Sequence, residues 1–236
     1  AETTRAGGDY AAAASMFNRA HHLSPNDAAP LMGLAETAVL AGEVEQAAAA
    51  YRRAIDLDPT SLAAHRGYAK VLITLNRPKL AVQQFRQAVA IAADDYKLHN
   101  GLAVALDLAG RHDEAQRSYG DAMALAPDNL SLRNNLGLSL ALGGKRSQAA
   151  KTLREAASIP GDTRLMRQNL ALVLALDGKP EEAAGVLARD LPEPQAQKQL
   201  AYFQALRGLA GSEVAAKIMG LTTRRSRGGE VKPAPG

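Results

Sequence analysis

Apolar and small residues recur along this chain at a step of 34 positions. An alanine column, Ala13, Ala47, Ala81, Ala115, Ala149 and Ala183, is followed four residues later by Phe17, Tyr51, Phe85, Tyr119, Leu153 and Leu187. Three residues further stand Ala20, Ala54, Ala88, Ala122 and Ala156, with Asp190 breaking the column. Spacings of four and three place these side chains on one face of a helix. A second set, Leu34, Tyr68, Leu102, Leu136 and Leu170, each followed by Ala35, Ala69, Ala103, Gly137 and Ala171, marks another helix in each period. Between the two helices fall Gly8, Gly42, Asn76, Gly110, Gly144 and Gly178. A left-handed backbone costs least at glycine and is tolerated by asparagine, so these positions predict the turn of a helical hairpin. Pro25, Pro59 and Pro127 predict the end of the second helix, with Ala93 and Pro160-Gly161 at the equivalent places.

A 34-residue helix–turn–helix period is the signature of tetratricopeptide repeats, and residues 1–190 resemble that family at nearly every diagnostic position. The predicted fold is all-α, a right-handed α-solenoid of about six such repeats closed by a C-terminal capping helix. The spans are a partial repeat at 1–27, full repeats at 28–61, 62–95, 96–129 and 130–163, and a degenerate one at 164–194. A capping region at 195–221 and a disordered basic tail at 222–236 complete the chain. In this frame Ala1 falls in the middle of a first helix. Where the family pattern carries an aromatic residue, this chain has Leu31, His65, His99, Arg133 and Arg167, consistent with its lack of tryptophan.

An apolar content of 47% with only 4% aromatic residues suits helices packed through alanine and leucine. The net charge of +4 is uneven: Arg224, Arg225, Arg227 and Lys232 face only Glu230 in the tail, which leaves the rest near neutrality. No apolar run of about 20 residues is present to span a bilayer. The absence of cysteine excludes disulfides and thiol chemistry in this chain. Arg77, Arg111, Lys145 and Lys179 follow the turn residues, where cations favour a helix carboxyl end. Acidic Asp113, Glu114, Glu181 and Glu182 open second helices. His65 and His99 share one repeat column and read as structural, and His112 reads as a turn residue beside Asp113. No phosphate loop, nucleophile motif or metal-ligand spacing emerges, so the reading is of a non-enzymatic protein with no cofactor and no bound metal.

First helices of such a solenoid line its concave surface. One inward column is Met32, Arg66, Asn100, Asn134 and Gln168, and the next is Gly33, Gly67, Gly101, Asn135 and Asn169. A third is Glu36, Lys70, Val104, Leu138 and Leu172, followed by Val39, Ile73, Asp107, Ala141 and Ala175. The candidate contact residues for a protein partner are therefore Arg66, Lys70, Asn100, Val104, Asn134, Asn135, Leu138, Gln168, Asn169 and Leu172. An amide both donates and accepts, so a ladder of them can clamp an extended backbone while apolar neighbours take side chains. The other reading is that Asn135 and Asn169 satisfy adjacent helix ends. The carboxylate clamp of chaperone-binding repeats is not expected, because Asn100, Val104, Leu165 and Asn169 stand where it needs Lys, Asn and two basic residues.

The segments Leu132-Arg133-Asn134-Asn135-Leu136-Gly137-Leu138 and Arg167-Gln168-Asn169-Leu170-Ala171-Leu172 resemble the TadD family. So does Ala188-Arg189-Asp190-Leu191-Pro192, followed by the Ala201-Tyr202-Phe203 helix. These are tetratricopeptide lipoproteins of bacterial tight-adherence (Flp-type) pilus systems, and the resemblance covers residues 95–207. It implies a periplasmic protein anchored to the outer membrane by lipid on a cysteine upstream of Ala1. It also implies a pilotin-like assembly factor whose partner is a secretin or another pilus component, with no nucleic acid expected. The alternative is a general tetratricopeptide scaffold or co-chaperone of another complex, cytoplasmic included.

Overall fold

The computed structural model describes residues 1–161, 163–209, 214 and 217. The tail expected at 222–236, and most of the segment at 211–221, lie outside the described residues. Thirteen α-helices and no strand occur among the described residues. They run α1 Glu2–Ala6, α2 Tyr10–Leu23, α3 Ala29–Ala41, α4 Val44–Leu57, α5 Leu62–Thr74, α6 Pro78–Ile91 and α7 Tyr96–Leu108. The second half holds α8 His112–Leu125, α9 Leu130–Leu142, α10 Arg146–Ser158, α11 Arg164–Leu176, α12 Pro180–Leu187 and α13 Glu193–Ala205. A 3₁₀ turn at Leu206–Gly208 follows. The chain forms two compact units, Ala1–Ala105 and a second that begins at Leu106, so the boundary falls inside α7.

Every turn residue of the 34-step column has positive φ: Gly8 84°, Gly42 79°, Asn76 56°, Gly110 75°, Gly144 80° and Gly178 78°. This lets the next residue donate its backbone N–H back to the helix just ended. Arg77, Arg111 and Lys145 reach the carbonyls of Leu72, Leu106 and Leu140 at 2.8 Å, and Lys179 reaches Leu174 at 2.9 Å. The otherwise unpaired carbonyls of a helix end are thereby satisfied. The basic column thus both closes one helix and opens the next. Arg111 pairs with Glu114 and Lys145 with Asp113, each at 2.7 Å.

The core follows the predicted columns. Ala13, Ala47, Ala81, Ala115, Ala149 and Ala183 are fully buried. In the first unit Phe17, Tyr51 and Phe85 insert against Gly33, Gly67 and Gly101, where a methyl group would lie within 2.2–2.5 Å of the ring carbons. These glycines, placed by the sequence on an inward column, are packing notches. Each fully buried aromatic side chain contributes roughly 1.5–3 kcal/mol. In the second unit α11 is covered on nearly all sides: every residue from Asn169 to Leu176 is buried. Its cover is α9, α10, α12, α13 and the 3₁₀ turn.

The column that replaces the family aromatic closes the turns between hairpins. His65 bonds through Nε2 to the Pro59 carbonyl at 2.9 Å and through Nδ1 to Gln84 at 2.8 Å. His99 Nε2 bonds to the Ala93 carbonyl at 2.8 Å, and Arg133 donates to the Pro127 carbonyl at 3.1 Å.

Candidate protein-binding site

The ten candidate residues divide between the two units, and each set stands on its own. In the first unit Arg66 and Lys70 lie one turn apart on α5 and are exposed, while Asn100 and Val104 on α7 are half-buried. Glu36 on α3 occupies the position equivalent to Lys70 and pairs with Arg5. Beyond it Val39 and Leu40 leave 39% and 56% of their surfaces in water. With Arg5, Glu36 and Tyr51 they line an open hollow of about 320 Å³.

The charges on this face are unevenly balanced. Lys70 remains exposed as a residue, yet its pKa is lowered from the usual lysine value by partial loss of water around the ammonium. The like charges of Arg66 and Lys97 lower it further. The Tyr51 hydroxyl is pushed up to about 12, by burial first and the Glu36 carboxylate second, against the opposing pull of Arg5 and Arg66. Tyr51 therefore senses both the hollow and the basic cluster. Lys97, Leu40 and Tyr51 were absent from the candidates read from sequence. A cation in the first turn of α7, one turn before Asn100, is the signal that could have found Lys97.

The second unit differs from the expectation. Leu138 and Leu172 are 0% and 2% exposed and belong to one apolar cluster with Phe203, Leu206 and Val214. The chain itself covers these two leucines, in a cluster that α13 and the 3₁₀ turn join against α11, where the sequence reading placed a partner. Asn134 and Asn169 are also buried, at 2% and 9% exposed. Asn169 Nδ2 donates to Asn134 Oδ1 at 2.6 Å, and Asn134 Nδ2 donates to Asn135 Oδ1 at 3.3 Å. Buried amides must find partners, and these find one another between α9 and α11 rather than capping helix ends. Asn135 and Gln168 are half-buried and also engaged.

His112 is likewise placed otherwise than expected. It bonds to Asp107 at 2.9 Å rather than to Asp113, and Ser139 Oγ donates to the same carboxylate oxygen at 2.8 Å. Burial raises the Asp107 pKa, while the bonds from His112 and Ser139 oppose that rise. The carboxylate sits between its two partners, so the imidazole does not bridge to the serine as a nucleophile's base would. An aspartate in a column of Val39, Ile73, Ala141 and Ala175 was the signal of this buried cluster. Among the described residues no group of three or more His, Cys, Asp or Glu could hold a metal ion, and no helix is long and apolar enough to cross a membrane.

Comparison with known proteins fits this geometry. The tetratricopeptide-repeat profile matches residues 3–62 and 100–163, and a second profile of that repeat matches 38–106. Similar solved structures include a MamA protein crystal structure, at 22% identity and TM-score 0.63 over 66% of this chain and 85% of that one. MamA 41-end from Desulfovibrio magneticus RS-1 is similar at 19% identity and TM-score 0.62, over 66% and 88% of the two chains. YrrB, described as a TPR protein with an unusual peptide-binding site, is similar at 20% identity and TM-score 0.59, over 88% and 100%. At such identities the likeness is one of fold. No curated protein matches the chain.

Proposed function

The chain belongs to the tetratricopeptide-repeat family, and from that premise we propose that it is a non-enzymatic scaffold holding a segment of another protein on the first-helix face of its first unit. The observation that carries this reading is the contrast between the two halves. In the second unit the equivalent apolar positions, Leu138 and Leu172, are covered by the chain itself. In the first, Arg66, Lys70, Val39 and Leu40 stay exposed, and Asn100 and Val104 are half-buried. An exposed apolar patch beside oriented polar groups marks an interaction surface. The peptide-binding site of the similar YrrB supports the same use of the fold.

The finer assignment is a pilotin-like assembly factor of a tight-adherence pilus, periplasmic, held at the outer membrane by an upstream lipid anchor, with a secretin or another pilus component as partner. Its support is the set of motif segments in α9, α11 and the α12–α13 junction. Within them Arg167 donates twice to Asp190, at 2.7 and 2.6 Å. A photo-crosslinking residue at Lys70 or Glu36, in protein co-expressed with the secretin of the same genome, tests both levels. Trapping of the secretin from these positions, and not from exposed Leu80 on α6, is the expected result. Equal trapping from Leu80 removes the binding face. Selective trapping of a protein from outside the pilus system retains the scaffold and removes the pilus role.

A further inference from the structure

We propose that the first unit's face selects a partner segment in which acidic side chains adjoin an apolar one. This rests on the protein-binding reading above and adds the chemistry of the ligand. Arg66 and Lys70 lie one turn apart on α5, and Lys97 stands in the first turn of α7, from where its charge, like that of Arg66, reaches Lys70. All three residues are exposed, and none makes an ion pair among the described residues. Two carboxylates of this unit are committed elsewhere. Glu36 is held by Arg5, and Asp95 accepts the backbone N–H of Lys97 at 2.8 Å, capping α7.

Like charges left together without an internal counter-ion raise the free energy of the unbound face, and an anionic group from outside relieves it. Beside this cluster lies the hollow of Val39, Leu40 and Tyr51, with more than half of Leu40 in water. Tyr51, which lines the hollow, packs its ring and hydroxyl against Gly67, the residue that follows Arg66 on α5, and this sets the two features next to each other. A nucleic acid would satisfy the cations and leave the hollow bare. A basic or purely apolar peptide would fill the hollow and leave the repulsion. A segment with carboxylates next to a leucine-sized side chain satisfies both.

The test is fluorescence anisotropy on the full chain with three dye-labelled synthetic peptides. They are equal in length and leucine content and carry Glu, Gln or Lys at the variable positions. The Glu peptide is expected to bind roughly tenfold more tightly than the Gln peptide, as several exposed pairs of modest strength combine. Its advantage shrinks as ionic strength rises beyond about 0.1 M, where the screening length is about 10 Å. Combined Arg66→Glu, Lys70→Glu and Lys97→Glu substitutions, all at exposed positions, should keep the helical circular dichroism and shift the preference to the Lys peptide. Equal binding of the Glu and Gln peptides to the native chain, preference for the Lys peptide, or no binding of the Glu peptide overturns the proposal. Crosslinking from Lys70 reports separately on the binding face, so the loss of one reading is distinguishable from the loss of the other.

Discussion

Small residues do three different jobs in this chain, and their neighbours decide which. At Gly42 φ is +79° and a methyl group would meet nothing within 4 Å, so the requirement is conformational. At Gly67 a methyl group would sit 2.5 Å from Tyr51 Cε1, so the requirement is space. At Gly120, within α8, the space is open and no positive φ intervenes. Alanine should therefore cost about 1–2 kcal/mol at Gly42 from left-handed strain. It should cost about 1–3 kcal/mol at Gly67 from overpacking. At Gly120 it should gain up to about 1 kcal/mol from helix propensity. Urea midpoints of the three variants check this ordering, and a destabilised Gly120→Ala would refute the distinction. The first requirement was legible in sequence, because it is local to one residue. The second was half legible: Gly67 was placed on a facing column, but the ring that fills its space comes from α4, 16 residues earlier.

At the scale of elements, the junction between α12 and α13 shows what holds an irregular segment. The sequence breaks its period at Asp190, and the structure gives that break a task. Arg167, from the turn-closing column on α11, binds Asp190 through two nitrogens and Thr163 Oγ1 through a third at 2.8 Å. The hydrogen bonds from Arg167 lower the Asp190 pKa below the usual carboxylate value. A carboxyl with a lowered folded-state pKa stabilises the fold above the unfolded value and loses that contribution as pH falls through the folded one. Asp190→Asn should thus lower the melting temperature at neutral pH, by an effect on the order of 1 kcal/mol. The gap from the native chain should close as pH drops below about 4, the unfolded aspartate value. A gap that persists unchanged to pH 2 would show that packing, not charge, links these elements. His65, His99 and Arg133 close equivalent turns by bonding a carbonyl six residues back. Their shared column was readable from the sequence, but their acceptors were not, because the acceptor is defined only once the turn is folded.

For the molecule as a whole, the division into two units matters because repeats are stabilised chiefly by their neighbours. Phe203 is 4% exposed in the apolar cluster of the second unit. Phe203→Ala should cost about 3–5 kcal/mol and raise hydrogen exchange in α11, α12 and α13 while leaving α3 to α5 near native rates. Uniform loss of protection from α3 onward would instead mean that the chain unfolds as one cooperative body. The same cluster governs where a partner can bind, since it withdraws Leu138 and Leu172 from the surface and leaves the first unit as the accessible face.

The sequence by itself determined the helical hairpins, their turns and the packing columns. These depend on interactions within a few residues and repeat every 34 positions, so each copy corroborates the next. Only the tertiary structure decided which inward columns meet solvent. Leu172 and Val104 occupy equivalent positions and are equally apolar, yet Leu172 is buried in a cluster with Phe203 and Leu206, whereas Val104 stays half-buried. The cluster around Leu172 draws in α13 and the 3₁₀ turn, which lie outside the repeat, and no periodicity can encode contacts with a segment that occurs once.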